Sequence, residues 1–178
     1  MVKKLKLEEL NRLSAEQTVL APKRPVILVL DNVRSALNVG SIFRTADAFG
    51  IESVYLCGIT ACPPHREILK TALGATETVH WKYFSKVEEA ALKLKATGYH
   101  IAAVEQTDSS VMLNKFIGAE KQALIVGNEI DGVSEEALVH CSSFIEVPQS
   151  GAKHSLNVAV CTGIVLWEII SGHSNAEK

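Results

Sequence analysis

The sequence predicts an α/β domain built on a mostly parallel sheet with helices on both faces. Three observations carry that prediction. Continuous apolar runs of strand length, such as Val26-Ile27-Leu28-Val29-Leu30, recur along the chain, as strands covered on both faces require. Stretches with helical apolar spacing stand between them. Glycine, proline and small polar residues punctuate the changes, and this alternation is the pattern of a sheet with crossover helices.

Each element follows in turn. Leu7, Leu10 and Leu13 lie three apart and mark a short helical stripe, expected to pack on the body or on a partner subunit. Pro22 and Pro25 end this extension, and residues 26–30 form a buried strand. Asn38 is the expected N-cap of a helix that turns Val39, Ile42, Phe43 and Ala46 inward and stops at Gly50. Residues 53–57 are the next strand. Beyond Pro63-Pro64, residues 78–80 read as a short strand and 85–97 as a helix. Residues 99–104 and 123–126 are further strands, 134–140 a short helix, 143–147 a last strand and 154–171 a long apolar helix. With no internal repeat or linker, residues 1–24 read as a short basic helical extension and 25–178 as one domain.

Composition narrows the function classes. The chain has 178 residues and is 47% hydrophobic, enough for one sizeable core. No run approaches the ~18 consecutive apolar residues of a membrane span. Glu8, Glu9, Asn11 and Arg12 interrupt any apolar leader, so a cytoplasmic location is expected. Cys57, Cys62, Cys141 and Cys161 lack a histidine array at finger spacing and read as free thiols, with no metal site expected. The formal charge of −2 argues against a protein that coats nucleic acid nonspecifically. Residues 1–24 hold six basic and three acidic groups, net +3, which leaves −5 for the remainder. Such an arm suits phosphate contacts, although charge alone equally describes a solvated amphipathic extension.

In an open parallel sheet the binding crevice lies beyond the carboxyl ends of the strands. Three segments expected there are rich in small and polar residues. The first runs Asp31-Asn32-Val33-Arg34-Ser35-Ala36-Leu37-Asn38-Val39-Gly40-Ser41-Ile42-Phe43-Arg44-Thr45. Its Gly40 permits close approach of a backbone or ligand, and Arg44 suits phosphate, while a structural salt bridge is the ordinary role of such an arginine. The second, Gly127-Asn128-Glu129-Ile130-Asp131-Gly132-Val133-Ser134, lacks the Gly-Lys-Ser/Thr of a phosphate-cradling loop. The third is Ile145-Glu146-Val147-Pro148-Gln149-Ser150-Gly151-Ala152-Lys153-His154-Ser155-Leu156-Asn157, which alone reads as a well-capped helix start.

Together and in this order, Asn38-x-Gly40-x-x-x-Arg44-Thr45-Ala46, Gly127-Asn128-Glu129 with Gly132, and Pro148-x-x-Gly151-x-x-x-Ser155-Leu156-Asn157 resemble the three motifs of the TrmH/SpoU family of RNA ribose methyltransferases. That family belongs to the SPOUT superfamily. The resemblance spans roughly residues 26–170. It implies a SPOUT-like domain over residues 25–178 with a C-terminal deep trefoil knot, which general folding rules would not suggest. It implies S-adenosylmethionine as cofactor, a homodimer with the active site near the subunit interface, and methyl transfer to a ribose 2′-hydroxyl. RNA is then required, because DNA lacks that hydroxyl.

The resemblance assigns Arg44 to the attacked hydroxyl, orienting the nucleotide and stabilising charge, since a guanidinium holds its proton too tightly to be a simple base. Asn38 would hold Arg44 or the substrate backbone, Glu129 would fix the catalytic loop or its arginine, and Ser155 and Asn157 would complete the polar wall. The expected cofactor contacts are Val104, Glu105, Gly127, Ile145, Pro148, Ser155, Leu156 and Asn157. Lys3, Lys4, Lys6 and Arg12 of the arm, with Arg34, Arg44 and Lys153, are the candidate RNA contacts. Two positions depart from the family pattern: Ile130 stands where glycine is frequent and Gln149 where methionine is common. An isoleucine there would be costly if positive φ were required.

Other residues carry less. His154 is a local hydrogen-bonding residue before a catalyst. Trp81 and Tyr83 suit base stacking, yet core or interface packing is the favoured reading, as it is for Trp167. His65 and Arg66 suit RNA contact outside the catalytic set. Transfer RNA is the favoured substrate, because a compact chain suits a substrate held by one small domain and its partner. Ribosomal RNA is the alternative, followed by a noncatalytic RNA-binding protein of the same fold, which failure to bind S-adenosylmethionine would reveal. A nucleotide-dependent metabolic enzyme is disfavoured by the missing phosphate-binding fingerprints.

Overall fold

The computed structural model describes residues 2–10, 12–152 and 154–175. A 3-10 turn, Leu7–Leu10, and helix α1, Ala15–Leu20, precede the sheet. The leucine stripe therefore yields one turn, and Leu10 and Leu13 are exposed. Ser14 restarts the chain with a capping box: its hydroxyl accepts from the Gln17 N–H, and the Gln17 side chain accepts from the Ser14 N–H.

Strands and helices then alternate as β1 (Arg24–Asp31), α2 (Ala36–Phe49), β2 (Ile51–Cys57), α3 (Arg66–Ala72), α4 (Ala75–Thr78), β3 (His80–Phe84), α5 (Val87–Ala96), β4 (His100–Val104), β5 (Val111–Met112), β6 (Gln122–Val126), α6 (Glu135–Leu138), β7 (Ser143–Glu146) and α7 (Val158–Asn175). The seven strands form one sheet in the order β3-β2-β1-β6-β4-β7-β5, and every neighbouring pair is parallel. Alternation along β1 supplies two cores. Val26, Leu28 and Leu30 join α2, α3, α4 and α7 on one face, while Ile27 and Val29 join α5 and α6 on the other. Each such side chain contributes about 1.5–3 kcal/mol on burial. No helix among the described residues is long and apolar enough to cross a membrane.

Several boundaries differ from the sequence expectation, each for a local reason. The third strand runs His80–Phe84, displaced from residues 78–80, because its first four residues are exposed and show no apolar alternation. Helix α3 is hidden behind Pro63-Pro64 and begins where the His65 ring accepts from the Glu67 N–H at 3.3 Å. It crowds α2 so closely that a Cβ on Gly40 would stand 2.3 Å from the Ile68 carbonyl oxygen, so this glycine serves helix contact. Helix α2 is capped by Ser35 rather than Asn38: the Ser35 hydroxyl accepts from the Asn38 N–H. Helix α7 starts at Val158, not at 154, because Asn157 accepts from the N–H groups of Ala159 and Val160 and so ends the loop.

Candidate active site

The carboxyl ends of β1, β6, β4 and β7 are adjacent, so the loops after them meet on one rim. Strand β1 ends in Asp31, fully buried at the close of an apolar run. A buried carboxylate needs hydrogen-bond donors. Asp31 finds them in the Asn32 side-chain amide at 2.8 Å and the Ser134 N–H at 2.9 Å, tying the first loop to the second. Asn32 adopts φ 55, a conformation asparagine tolerates better than most residues. Its carbonyl accepts from the Asn128 amide at 2.8 Å. Asp31, Asn32 and Asn128 were missed as site residues. A carboxylate ending a run of five apolar residues is the signal that marks the first.

Glu129 is the node of the rim. Its carboxylate accepts from the N–H groups of Arg34 at 3.0 Å and Ser35 at 3.1 Å and from the Asn38 side-chain amide at 2.8 Å. Burial opposes its ionisation, but these donors outweigh burial and hold its carboxyl below the usual carboxylate range. A carboxylate can only accept, so the Asn38 amide nitrogen faces Glu129. The Asn38 oxygen then accepts from the Asn157 amide at 3.1 Å. Asn157 is oriented in turn, because its own oxygen caps α7. One line, Glu129–Asn38–Asn157, therefore joins all three segments. No hydrogen bond joins Asn38 to Arg44 among the described residues.

Beside this line lies a cavity of about 440 Å³ lined by Val104, Glu105, Gly127, Ile145, Ser155, Leu156 and Asn157 among others. Its Gly127 corner is tightly folded: the Asn128 and Gly132 backbones bond each other in both directions, at 2.9 and 3.0 Å. A Cβ on Gly127 would stand 2.1 Å from the Gly132 carbonyl carbon, and one on Gly132 would stand 2.2 Å from a Glu105 oxygen. Glu105 accepts from the Val133 N–H at 2.8 Å, pinning the same loop from β4. Cys161 also lines the cavity, and burial, reinforced by Glu105, pushes its thiol up to about 11. Pro148 is flanked by Val147 and Gln149, which line this cavity, but is not itself among its lining residues. It lines a second, more apolar groove of about 620 Å³ with Leu113 and Ile164, which shares Val147, Gln149, Ser155 and Leu156 with the first.

The remaining predicted residues are spread out. Arg44 is exposed, does not line either cavity, and its side chain forms no salt bridge or hydrogen bond among the described residues. It lies six positions beyond Asn38, about 9 Å along α2 and well round the helix from it. Its neighbour Thr45 faces Gly163 of α7, which sets Arg44 beside the α2–α7 seam. Arg34 is exposed on the rim, with its backbone N–H on Glu129. In the arm, Lys4, Lys6 and Arg12 are exposed, and Lys3 pairs with Glu9 at 2.7 Å. Lys153 lies outside the described residues. Ile130 is 74% exposed and is not among the positive-φ residues, so its side chain meets no backbone clash. His154 contributes its carbonyl, which accepts from Gln106 at 2.9 Å across the cavity.

An open parallel sheet with a cavity and a polar hydrogen-bonded line beyond the carboxyl ends of its strands has the arrangement in which α/β proteins bind small ligands. The chain belongs to the SpoU rRNA methylase family, whose profile matches residues 25–167. It is 34% identical over 165 residues to a tRNA (guanosine(18)-2′-O)-methyltransferase of Aquifex aeolicus, covering 89% of this chain and 75% of that one. It is 30% identical over 144 residues to the 23S rRNA (guanosine-2′-O-)-methyltransferase RlmB of Neisseria meningitidis, covering 81% of this chain but 57% of that protein. An AdoMet-bound rRNA methyltransferase from Sinorhizobium meliloti superposes with a TM-score of 0.79 at 28% identity, covering 85% of this chain and 57% of that one. The chain thus spans little more than half the length of two of these relatives.

Proposed function

We propose that the chain transfers the methyl group of S-adenosylmethionine to a ribose 2′-hydroxyl of RNA. The observation that carries this reading is the Glu129–Asn38–Asn157 line, which gathers the three family motifs around one cavity. The cavity's size is within the range of small-molecule pockets, roughly 300–1,000 Å³. Its chemistry fits the cofactor: Val104, Ile145, Leu156 and Val158 offer apolar walls to a planar base, and Glu105 offers carboxylate oxygens to hydroxyl or ammonium groups. The bound cofactor supplies an electrophilic methyl group on a positively charged sulfur.

The chain's own residues do the rest. Glu129 fixes the start of α2, and Asn157 fixes the start of α7, so the cavity wall is rigid before any ligand arrives. Arg44 orients a substrate phosphate and stabilises negative charge developing on the ribose oxygen. Ser155, on the wall of both grooves, borders the nucleotide. Arg34 and the arm residues Lys4, Lys6 and Arg12 hold phosphates further out.

The protein acts as a homodimer in this reading. Val160, Ile164 and Trp167, at positions i, i+4 and i+7 of α7, are 54%, 40% and 63% exposed. This apolar stripe lies beside Arg44, so a second copy covering it would bring both arginines to the interface. The family's trefoil knot belongs to the segment that returns from β7 to Asn157, and the four cysteines suit the reducing cytoplasm, where RNA is processed. Transfer RNA is the first candidate substrate, supported by the higher identity to the tRNA-modifying relative. Nucleotide-resolution mapping of ribose methylation in a strain lacking the gene tests the reading. Loss of methylation at a defined tRNA position is expected; an unchanged map across tRNA and rRNA would contradict it.

A further inference from the structure

The edge strand β3 is unlike the strands inside the sheet. Trp81 and Tyr83 are 37% and 47% exposed, which removes the core-packing alternative for both. They lie on one face of the strand, because side chains alternate, and are about 7 Å apart along it. Neither ring packs on another aromatic among the described residues, where the ring pairs are Phe49–Trp167 and Tyr55–Phe84. Two flat apolar faces therefore stand open to solvent at the margin of the domain.

Tyr83 is anchored to the catalytic rim. Its hydroxyl donates to the Gly58 carbonyl at 3.1 Å. Gly58 turns the chain after β2 with φ 62, and a Cβ there would stand 2.1 Å from the Asn32 side-chain oxygen. The next N–H, that of Ile59, donates to that same oxygen at 3.1 Å. Asn32 in turn accepts from Asn128, the neighbour of Glu129. Three hydrogen-bonded steps thus connect the Tyr83 ring, near the carboxyl end of β3, to the second motif, while Trp81 lies nearer the start of the strand.

Charge indicates the occupant. Residues 59–86 carry Arg66, Lys70, Lys82 and Lys86 against Glu67 and Glu77, net +2 in a chain of net −2. All six are exposed, and none of the four cations forms a salt bridge among the described residues. Lys82 alternates to the other face of β3, 5.2 Å over the buried Phe84 ring on the α5 side, whereas Arg66 and Lys70 belong to α3, which packs on the face that Trp81 and Tyr83 share. Like-charged patches on two copies of this chain would repel, whereas a polyanion would be drawn to both. Exposed aromatic faces with unpaired cations on the neighbouring helix suit single-stranded nucleic acid, since every base has a π face to stack.

We propose that Trp81 and Tyr83 are a stacking platform for unpaired bases flanking the target nucleotide, with Arg66 and Lys70 holding the adjoining phosphates. The platform rests on the RNA reading above and gives it a recognition surface outside the motifs. The test measures binding of a labelled short single-stranded oligoadenylate by fluorescence anisotropy, with S-adenosylmethionine affinity measured in parallel by calorimetry. The double variant W81A/Y83A should lose on the order of tenfold in oligoadenylate affinity. The double variant W81F/Y83F, which keeps the rings, should stay within about threefold of the parent on the same basis, and cofactor affinity should be unchanged in both. Parental oligoadenylate affinity in W81A/Y83A overturns the platform, as does a loss accompanied by a changed mass in sedimentation, which would make the face a protein interface. A parent protein that binds S-adenosylmethionine but not the oligonucleotide overturns the platform alone. One that binds the oligonucleotide but not the cofactor overturns the proposed function, while the alanine comparison still decides the platform.

Discussion

Asn38 and Arg44 lie on the same helix in opposite surroundings. Asn38 sits at the pinned amino end of α2, where both ends of its amide are engaged and Glu129 collects three donors. Arg44 sits on the outward face beside the apolar α7 stripe, exposed and without a partner among the described residues. The pinned half adjoins a cavity suited to a small cofactor, and its hydrogen-bonded line is formed by residues of one chain. The open half carries the charge that a phosphate or a second subunit would meet. In the proposed function the difference separates two kinds of preparation: geometry fixed in advance for the cofactor, and an uncompensated cation left for the substrate.

The largest effect expected from that contrast is on turnover. Arg44→Ala should lower methyl transfer by about 10²–10³-fold, the usual cost of removing a charge-stabilising donor, while S-adenosylmethionine affinity changes little. Calorimetry beside a transfer assay separates the two, and a joint collapse would place Arg44 in the pinned half after all. Gly127→Ala should do the reverse at its source. Its Cβ must displace the Gly132 backbone, so cofactor affinity should weaken by about tenfold, in line with overpacking costs of ~1–3 kcal/mol.

Glu129→Gln tests the pinning itself. An amide offers one accepting oxygen where the carboxylate offers two, and unmet donors cost about 1–3 kcal/mol. The carboxyl is held below its usual range in the folded protein. Its stabilisation is therefore present above the unfolded value of ~4.3 and is lost as pH falls through the depressed folded value. Urea midpoints should show parent and variant furthest apart at neutral pH and converging below about pH 4. A gap independent of pH would mean the carboxylate charge plays no part. The smallest effect on folding should come from Ile164→Glu on the α7 stripe, within about 0.5 kcal/mol for a surface change. Sedimentation should nonetheless show half the parental mass, and an unchanged mass would free that stripe from the dimer.

The sequence disclosed the frame where burial was uniform. Val26 to Leu30 is apolar because both faces of β1 are covered, and the inward positions of α2 follow the helical period. It concealed β3, whose exposed residues obey no apolar pattern, and α3, which follows two prolines. The motifs disclosed which residues gather at the rim, but not how they bond. Asn38 has the chemistry of a cap, yet Ser35 takes that place because Glu129 draws the Asn38 amide outward. That competition arises between residues 91 positions apart, and no local window contains it. Pro148 lines the neighbouring groove although Val147 and Gln149 on either side of it reach the first cavity, a division within one loop that no apolar pattern displays.

The most direct test supplies the purified protein with S-adenosylmethionine labelled in the methyl group and with RNA from cells lacking the gene, then digests the product with alkali. A methyl group on the 2′-oxygen blocks cleavage of the adjoining phosphodiester, so the predicted result is label retained in alkali-stable dinucleotides. Label recovered in mononucleotides would place the methyl group on a base, and absence of label would leave the rim without the catalytic role proposed for it.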